Sequence, residues 1–487
     1  MAVKDLRAYI AALESAGEVQ RIDQEVDWNL EIGAIIRRVY DLQAPAPFFQ
    51  RIKGYPQGYR ILGAPMAFSN RPKSTHARLA LALSMRPDSS VADIMDEYVR
   101  RMKNPLKPTL VSSGPCKEHI HIGDQVDLEA FPVPMLHGGD GGRYLGTWHT
   151  VITKDPDTDW VNWGMYRLML HDKKTLGIAL SPSQHIGQIY YPKYEARNHP
   201  MEVAIAIGTD PACAVVSAMS YEVGDNEVDI AGGLLGEPVE MVKCETVELT
   251  VPARSEIVIE GEILPHERRE EGPFGEYTGY MGGERAPRPL IHVKAITHRE
   301  DPILTCVCPG VPVEEDHSLR PLASANLLDD LRSRGFPVRM VYIPPEIGSQ
   351  MYLISTKVPF PGYAKYLANA VWGSAQGKRA HFLVILDDDV DVTNFTEAMW
   401  ALTSRCHPDR GILKMPNSWG NPLLPFTNSE EKRHFLAAHV LFDCTWPKDW
   451  PKEAIPIKAS FDVMWPKDVQ EKVMDNWQSY GFEQTSR

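Results

Sequence analysis

Ile257-Val258-Ile259-Glu260-Gly261-Glu262-Ile263 reads as a β-strand, because β-branched residues fill it and turn-forming residues bound it. Similar runs lie around it at Thr147 to Thr153, Met201 to Ile207, Ala214 to Ser217, Val247 to Val251 and Leu290 to Ile296. Together they predict a β-barrel or sandwich across residues 145 to 300. Upstream, Val126 to Tyr144 reads as loop, since Pro132, Pro134 and the glycines at 138, 139, 141 and 142 interrupt any regular element. Before that loop, a Pro-punctuated mixed region follows an opening helix, in which Leu6, Ile10 and Leu13 recur at helical spacing and Gly17 is the stop. Downstream of about residue 310 the pattern alternates: a helix near 321 to 334, strands near 338 to 343 and 351 to 355, a helix near 363 to 372 and a strand at 382 to 386. Such alternation predicts an α/β layer. A last helix begins at Pro466 and carries Val469, Val473, Trp477 and Tyr480 on one face until Gly481, as a docking or oligomer-contact helix would. The expected units are therefore 1–125, 126–308, 309–465 and 466–487.

The chain has 487 residues, enough for about three domains without covalent staples. Lys and Arg total 51 against 64 Asp and Glu, a net charge of −13. No long-range positive field would gather a polyanion, so nucleic acid and acidic membrane surfaces are excluded as expected partners. Apolar runs such as Leu79 to Leu83 and Phe382 to Leu386 fall far short of the ~20 residues of a membrane helix. Met1-Ala2-Val3-Lys4-Asp5 lacks the apolar stretch of a secretory signal, and a cytoplasmic protein is expected. The seven cysteines are scattered with no Cys-x-x-Cys pair, which argues against a disulfide framework or a thiolate zinc site. Cys306 and Cys308 share one face of a strand and read as packing.

Several segments hold residues suited to chemistry. Glu271-Gly272-Pro273-Phe274-Gly275-Glu276 sets two carboxylates around a tight turn. Either a surface turn among acidic neighbours or a pair dividing acid and base roles fits that pattern. Asn162-Trp163-Gly164-Met165-Tyr166-Arg167 puts an amide five residues before a guanidinium. In a regular strand those two side chains face opposite ways, so one shared site requires a bend at Gly164. Arg167 suits a bidentate grip on a carboxylate or phosphate, or a structural ion pair. Ser183-Gln184-His185 and Asp225-Asn226-Glu227 add an imidazole and oxygen ligands, a mostly hard set that suits Mn²⁺ or Mg²⁺ better than structural zinc. Asp387 to Asp391 reads as the end of a strand, with Asn394 and Glu397 as a capping box for the next helix. The glycine-rich loop around Asp140 lacks the Gly-Lys-Ser/Thr ending of a phosphate-binding loop and reads as chain reversal.

In order and spacing these segments resemble the UbiD-like decarboxylases, which include ferulic acid and 4-hydroxybenzoate-type decarboxylases. The likeness runs through Asp140-Gly141-Gly142-Arg143-Tyr144, Asn162 to Arg167, Gln184-His185, Glu227 ahead of Ala231-Gly232-Gly233, Val242-Lys243-Cys244, Glu271 to Glu276 and Asp387 to Asp391. It implies an α/β (α+β) chain: an N-terminal α/β portion, a central split β-barrel cofactor domain, and a C-terminal α/β domain with a terminal oligomerisation helix. It implies prenylated FMN as cofactor, a flavin prenyltransferase as its supplier, and a homodimer or homohexamer. By position, Asn162, His185 and Glu227 match the ligands of Mn²⁺ (or Mg²⁺), with K⁺ as a further candidate ion. Asn162, Trp163, Gly164, Met165, Tyr166, Arg167, Gln184, His185, Ser217, Met219 and Glu227 match cofactor-binding positions. Arg167, Glu271 and Glu276 match the Glu-Arg-Glu catalytic network. Many members carry Asp at the last of these positions; this chain has Glu276.

The implied activity is a reversible, non-oxidative decarboxylation of an aromatic, heteroaromatic or α,β-unsaturated acid. Arg167 would orient the substrate carboxylate, Glu271 would fix the guanidinium, and Glu276 would protonate the carbon that loses CO₂. Glu314 to Arg320 resembles a loop near the substrate. His317 and Arg320 are its candidate contacts, the guanidinium favouring a polar or second-carboxylate substrate. Two other readings stand beside this one: a metal-dependent hydrolase with Glu276 as base, and a non-catalytic FMN-binding protein on the same fold.

Overall fold

The computed structural model describes residues 3–72, 74–282 and 284–482. Met1, Ala2 and positions 483–487 of the C-terminal segment lie outside the described residues. The opening helix, Leu6–Ala16, forms as its pattern predicts: Asp5 accepts from the Ala8 N–H at 2.7 Å, Leu6, Tyr9, Ile10 and Leu13 are buried, and Gly17 ends it at φ 68°. A four-stranded sheet follows in the order Val19–Val26, Ala46–Ile52, Arg60–Gly63, Ile303–Cys306. Its last strand comes from far downstream, pairing in parallel with Arg60–Gly63, so the N-terminal layer is bound to the centre of the chain.

The centre is a nine-stranded sheet. Its path runs Tyr144–Gly146, Leu168–Asp172, Thr175–Ile178, Leu290–His298, Ile257–Ile263, Met201–Ile207, His149–Lys154, Val161–Gly164, with His119–Ile122 branching off Leu290–His298. Ile257–Ile263 lies inside it, paired to Met201–Ile207 on one side and Leu290–His298 on the other. Its residues are buried on both faces, Val258 in one apolar cluster and Ile257, Ile259 and Ile263 in another. The path is open, with edges at Tyr144–Gly146 and Val161–Gly164, and the α/β class holds for the chain as a whole. One expected strand is a helix: Ala214 to Ser217 falls within Pro211–Ala218. Asp210 caps that helix through the Ala212 N–H at 2.6 Å and Pro211 opens it. A short apolar run has no period to distinguish the two states, and the cap signal decides. Around 250 the strand is Thr250–Pro252, later than Val247 to Val251.

The C-terminal layer is a five-stranded sheet in the order Val338–Tyr342, Met351–Thr356, Phe382–Asp387, Leu436–Cys444, Ile412–Trp419. Arg320–Ser333 and Tyr363–Trp372 cover it, burying Leu327, Leu331, Leu367 and Val371. Asn394 accepts from the Glu397 N–H at 3.2 Å, but the Glu397 carboxylate turns to Lys458, so only half of the expected capping box forms. The terminal helix is shorter than its apolar face predicts, Lys467–Asp475, and none of its residues is buried. With its apolar face left unburied by the described residues, the helix gains little from extension beyond Asp475. The seven cysteines are all free. No helix among the described residues is long and apolar enough to cross a membrane.

Candidate active site

A cavity of about 1570 Å³ opens between the central sheet and the C-terminal layer. The strand Val161–Gly164 stops at Gly164, and Met165 to Arg167 lie in irregular backbone before Leu168–Asp172 resumes the sheet. This break supplies the required bend and lets Arg167 line the cavity. Its guanidinium is held bidentately by Glu271, Nε to Oε1 at 2.9 Å and Nη2 to Oε2 at 2.8 Å. Tyr144 donates its hydroxyl to the same Glu271 Oε1 at 2.8 Å. Glu271 is thus fully engaged as an acceptor behind Arg167. Glu276 meets the remaining corner of the guanidinium through Nη1 and itself lines the cavity. Burial, with Glu271 and Glu314 nearby, outweighs the pull of Arg167 and pushes the Glu276 carboxyl up to about 7.

The turn that joins these carboxylates is supported from outside. Glu271 ends one short ladder, Arg269–Glu271 with Ala286–Arg288, and Glu276 follows another, Phe274–Gly275 with Met281–Gly282. Gly272 reverses the chain at φ 82°, which an L side chain rarely adopts. The glycine-rich loop then closes on it: the Gly141 N–H donates to Pro273 O at 2.7 Å, and a Cβ on Gly141 would lie 1.9 Å from Gly272 O. Asp140 accepts from the Gly275 N–H at 3.0 Å and from His137 Nδ1 at 3.0 Å. Partial burial of His137 opposes its charge, yet its bonds to Asp140 and Cys308 push its pKa up to about 10. The loop read as simple chain reversal is a clamp on the carboxylate turn.

A second stretch of the cavity wall carries the residues that could hold an ion and a flavin. His185 Nδ1 lies 3.9 Å from Glu227 Oε1, and the other Glu227 oxygen accepts from the Trp163 N–H at 3.2 Å. Asn162 is buried beside them; Tyr166 donates to its Oδ1 at 3.2 Å, while its Nδ2 has no partner. Trp163 Nε1 is likewise buried without a partner. Glu227 is shifted up by burial, an effect that His185 opposes. The amide oxygen of Asn162, the imidazole of His185 and the carboxylate of Glu227 form a ligand set that fits a hard divalent cation, and the two unanswered N–H groups beside them fit an anionic group bound with it. Trp163 to Tyr166, Gln184, His185, Ser217, Met219 and Glu227 all line the cavity. Ser217 is the most committed of these, bonding to Thr150 Oγ1 and to Cys213 O, each at 2.8 Å.

Three domain descriptions of the 3-octaprenyl-4-hydroxybenzoate carboxy-lyase, UbiD, match the chain: the N-terminal domain over residues 10–98, the Rift-related domain over 109–312 and the C-terminal domain over 318–444. The chain belongs to the UbiD family. Among this family's enzymes, pyrrole-2-carboxylic acid decarboxylase of Pseudomonas aeruginosa is 36% identical, over 98% of each chain. Vanillic acid decarboxylase of Sedimentibacter hydroxybenzoicus in its closed form superposes with a TM-score of 0.88 at 31% identity over 99% of each chain. An evolved dimeric form of the UbiD-class enzyme HmfF from Pelotomaculum thermopropionicum, in complex with prFMN, superposes at 0.77 and 30% identity, over 93% of this chain and 97% of its own.

Within this UbiD fold, two expected substrate contacts are not among the residues that line the cavity. Arg320 is buried and spent on Asp316, through its carboxylate and, at 2.9 Å, its carbonyl. His317 Nδ1 lies 2.7 Å from Glu314 Oε1. Neither lines the cavity, whereas Glu314 and Asp316 do. Glu314, Asp316 and His317 bring ligand atoms within 4.8 Å of one another, but these ion pairs account for the grouping. The residues missed by sequence reasoning are His137, Asp140 and Tyr144 as supports, and Arg379 and Asn421 in the far wall. Only the glycines of the 138–142 loop advertised any of them.

Proposed function

We propose that this UbiD-family enzyme is a reversible, non-oxidative decarboxylase of aromatic, heteroaromatic or α,β-unsaturated carboxylic acids that works with prenylated FMN. The observation that carries this reading is Arg167 clamped by Glu271 and shared with Glu276, whose carboxyl sits near pKa 7 at the cavity surface. Glu271 occupies one edge of the guanidinium, so the remaining Nη donors are oriented for a substrate carboxylate. When Glu276 takes up a proton its hold on Nη1 weakens, freeing that corner for substrate and leaving a neutral acid beside it. Glu276 then delivers this proton to the carbon that has lost CO₂ and recovers it from solvent. In the reverse direction it removes the proton from the same carbon.

Asn162, His185 and Glu227 would hold Mn²⁺ or Mg²⁺ against the flavin phosphate, and Trp163 to Tyr166, Gln184, Ser217 and Met219 would line the flavin. When bound, the prenylated flavin supplies the electron sink for decarboxylation. A flavin prenyltransferase is the implied supplier.

The test is production together with a flavin prenyltransferase, then the mass and spectrum of the released flavin, metal content, and CO₂ release from a panel of acids. Prenylated FMN, about one Mn²⁺ per chain and CO₂ from at least one acid are expected. Metal without flavin, together with hydrolytic activity, would replace this reading with the hydrolase.

A further inference from the structure

The C-terminal wall of the cavity carries Lys378, Arg379, Lys432 and Arg433, none of which forms an ion pair with a carboxylate among the described residues. Lys378 has its ammonium 5.5 Å over the Trp419 ring and feels Glu222. Its neighbour Gln376 donates to Ser220 O at 2.9 Å, near Ser217 and Met219. Lys378 thus belongs to the end of the cavity assigned above to the flavin. Arg379 belongs to the other end. Its charge acts on the Tyr277 phenol, next in sequence to Glu276, and on Asp316.

Arg379 is half-buried, and its side chain makes no hydrogen bond among the described residues; its Nε is shut off from solvent with no partner. A guanidinium in this state forfeits hydration without compensation. The carboxylate best placed to answer it, Asp316, is already taken by Arg320 and by Ser349 at 3.1 Å. Tyr277 is also occupied, accepting from Asn421 Nδ2 at 2.8 Å. The missing partner is therefore external and of a kind a planar five-donor cation binds well.

We infer that the substrate is a dicarboxylic acid, one carboxylate presented to Arg167 for loss as CO₂ and the second held by Arg379 on the C-terminal wall. This rests on the decarboxylase reading. It moves the second-carboxylate role expected of Arg320 to a guanidinium that lines the cavity and is unpaired. Arg379 is here a specificity-determining residue and takes no part in the bond changes.

The experiment uses holoprotein made with a flavin prenyltransferase and two matched pairs of probes: pyrrole-2-carboxylate with pyrrole-2,5-dicarboxylate, and cinnamate with 4-carboxycinnamate. CO₂ release gives kcat and KM, and isothermal titration gives affinity, for the parent protein, Arg379→Met and Arg379→Lys. In at least one pair the diacid is expected to be favoured about tenfold or more in kcat/KM, mainly through KM. Arg379→Met should bring that ratio close to one and Arg379→Lys should restore part of it, with flavin content equal in all three proteins. No diacid preference in either pair, a preference that survives Arg379→Met, or loss of flavin in that variant would each overturn the inference; the last would assign Arg379 to the cofactor. If no acid releases CO₂, the decarboxylase reading fails by itself. The titrations then decide on Arg379, through loss or persistence of the diacid's affinity advantage.

Discussion

The cavity has two walls of opposite electrostatic design. On the central-sheet wall the charges around Arg167 are answered within the fold: Glu271 grips two of its nitrogens, Tyr144 grips Glu271, and Asp140 with His137 pins the turn between the carboxylates. On the C-terminal wall, Lys378, Arg379, Lys432 and Arg433 have no carboxylate partner among the described residues. A satisfied network holds its members in one geometry, which is what a proton transfer to a particular carbon requires. Unpaired cations in a chain of net charge −13 instead draw in and select anions. On the function proposed above, the chemistry belongs to one wall and the selection to the other.

The largest expected effect tests the first half of that contrast. Arg167→Ala leaves Glu271 and Glu276 buried without their cation, and breaking a buried pair costs about 3–5 kcal/mol. Denaturant unfolding should show a loss of that order, and CO₂ release should disappear. A variant as stable as the parent would show that the wall is not an interdependent network. Glu276→Gln is the sharper probe, since it keeps the shape and removes the proton. It should retain flavin and fold while kcat falls by ~10²–10⁴-fold, and parental kcat would remove Glu276 as proton donor.

The pH profile follows from the same carboxyl. Its proton is present below about pH 7 and lost above it, so kcat for decarboxylation should decline as pH rises through about 7. A flat profile to pH 9 would contradict the assignment. Asp140→Asn weakens the clamp without touching the cavity. It alters the hydrogen-bond partner of His137 and the Gly275 N–H and should cost about 1–3 kcal/mol of stability, visible as a lower Tm with a smaller fall in kcat than Glu276→Gln produces. The smallest effect belongs to the other wall. Arg433→Ala, at an exposed position, should leave Tm unchanged and raise KM only slightly, and added salt should erase the rise by screening the parent's advantage. A large loss of stability there would show that this wall, too, is a structural network.

Much of this architecture is legible along the chain because its signals are local. Leu6–Ala16 has its cap at Asp5, a periodic face and its stop at Gly17, all within thirteen residues. Met201–Ile207 and Ile257–Ile263 each declare themselves by composition. The errors occur where local evidence is neutral. Pro211–Ala218 is apolar but for Ser217 and has no clear period, so only its cap distinguishes helix from strand, and the terminal helix has an apolar face that the described residues leave unburied.

Site residues divide by the same logic. Residue type and spacing by themselves mark Asn162 to Arg167 and Glu271 to Glu276 as segments able to hold a guanidinium, an amide and two carboxylates. They also determine the bend at Gly164 that a shared site demands. Only tertiary structure decides which carboxylate is spent and which is free to titrate, because that depends on Tyr144 and Asp140 arriving from another loop and on how deeply Glu276 is buried. The same holds for two arginines of the C-terminal layer, Arg320 and Arg379, chemically identical in sequence. Arg320 has Asp316 four residues before it and is paired, while Arg379 has no acid within bonding reach among the described residues and lines the cavity. Pairing is a property of distance in space, and chain position does not encode it.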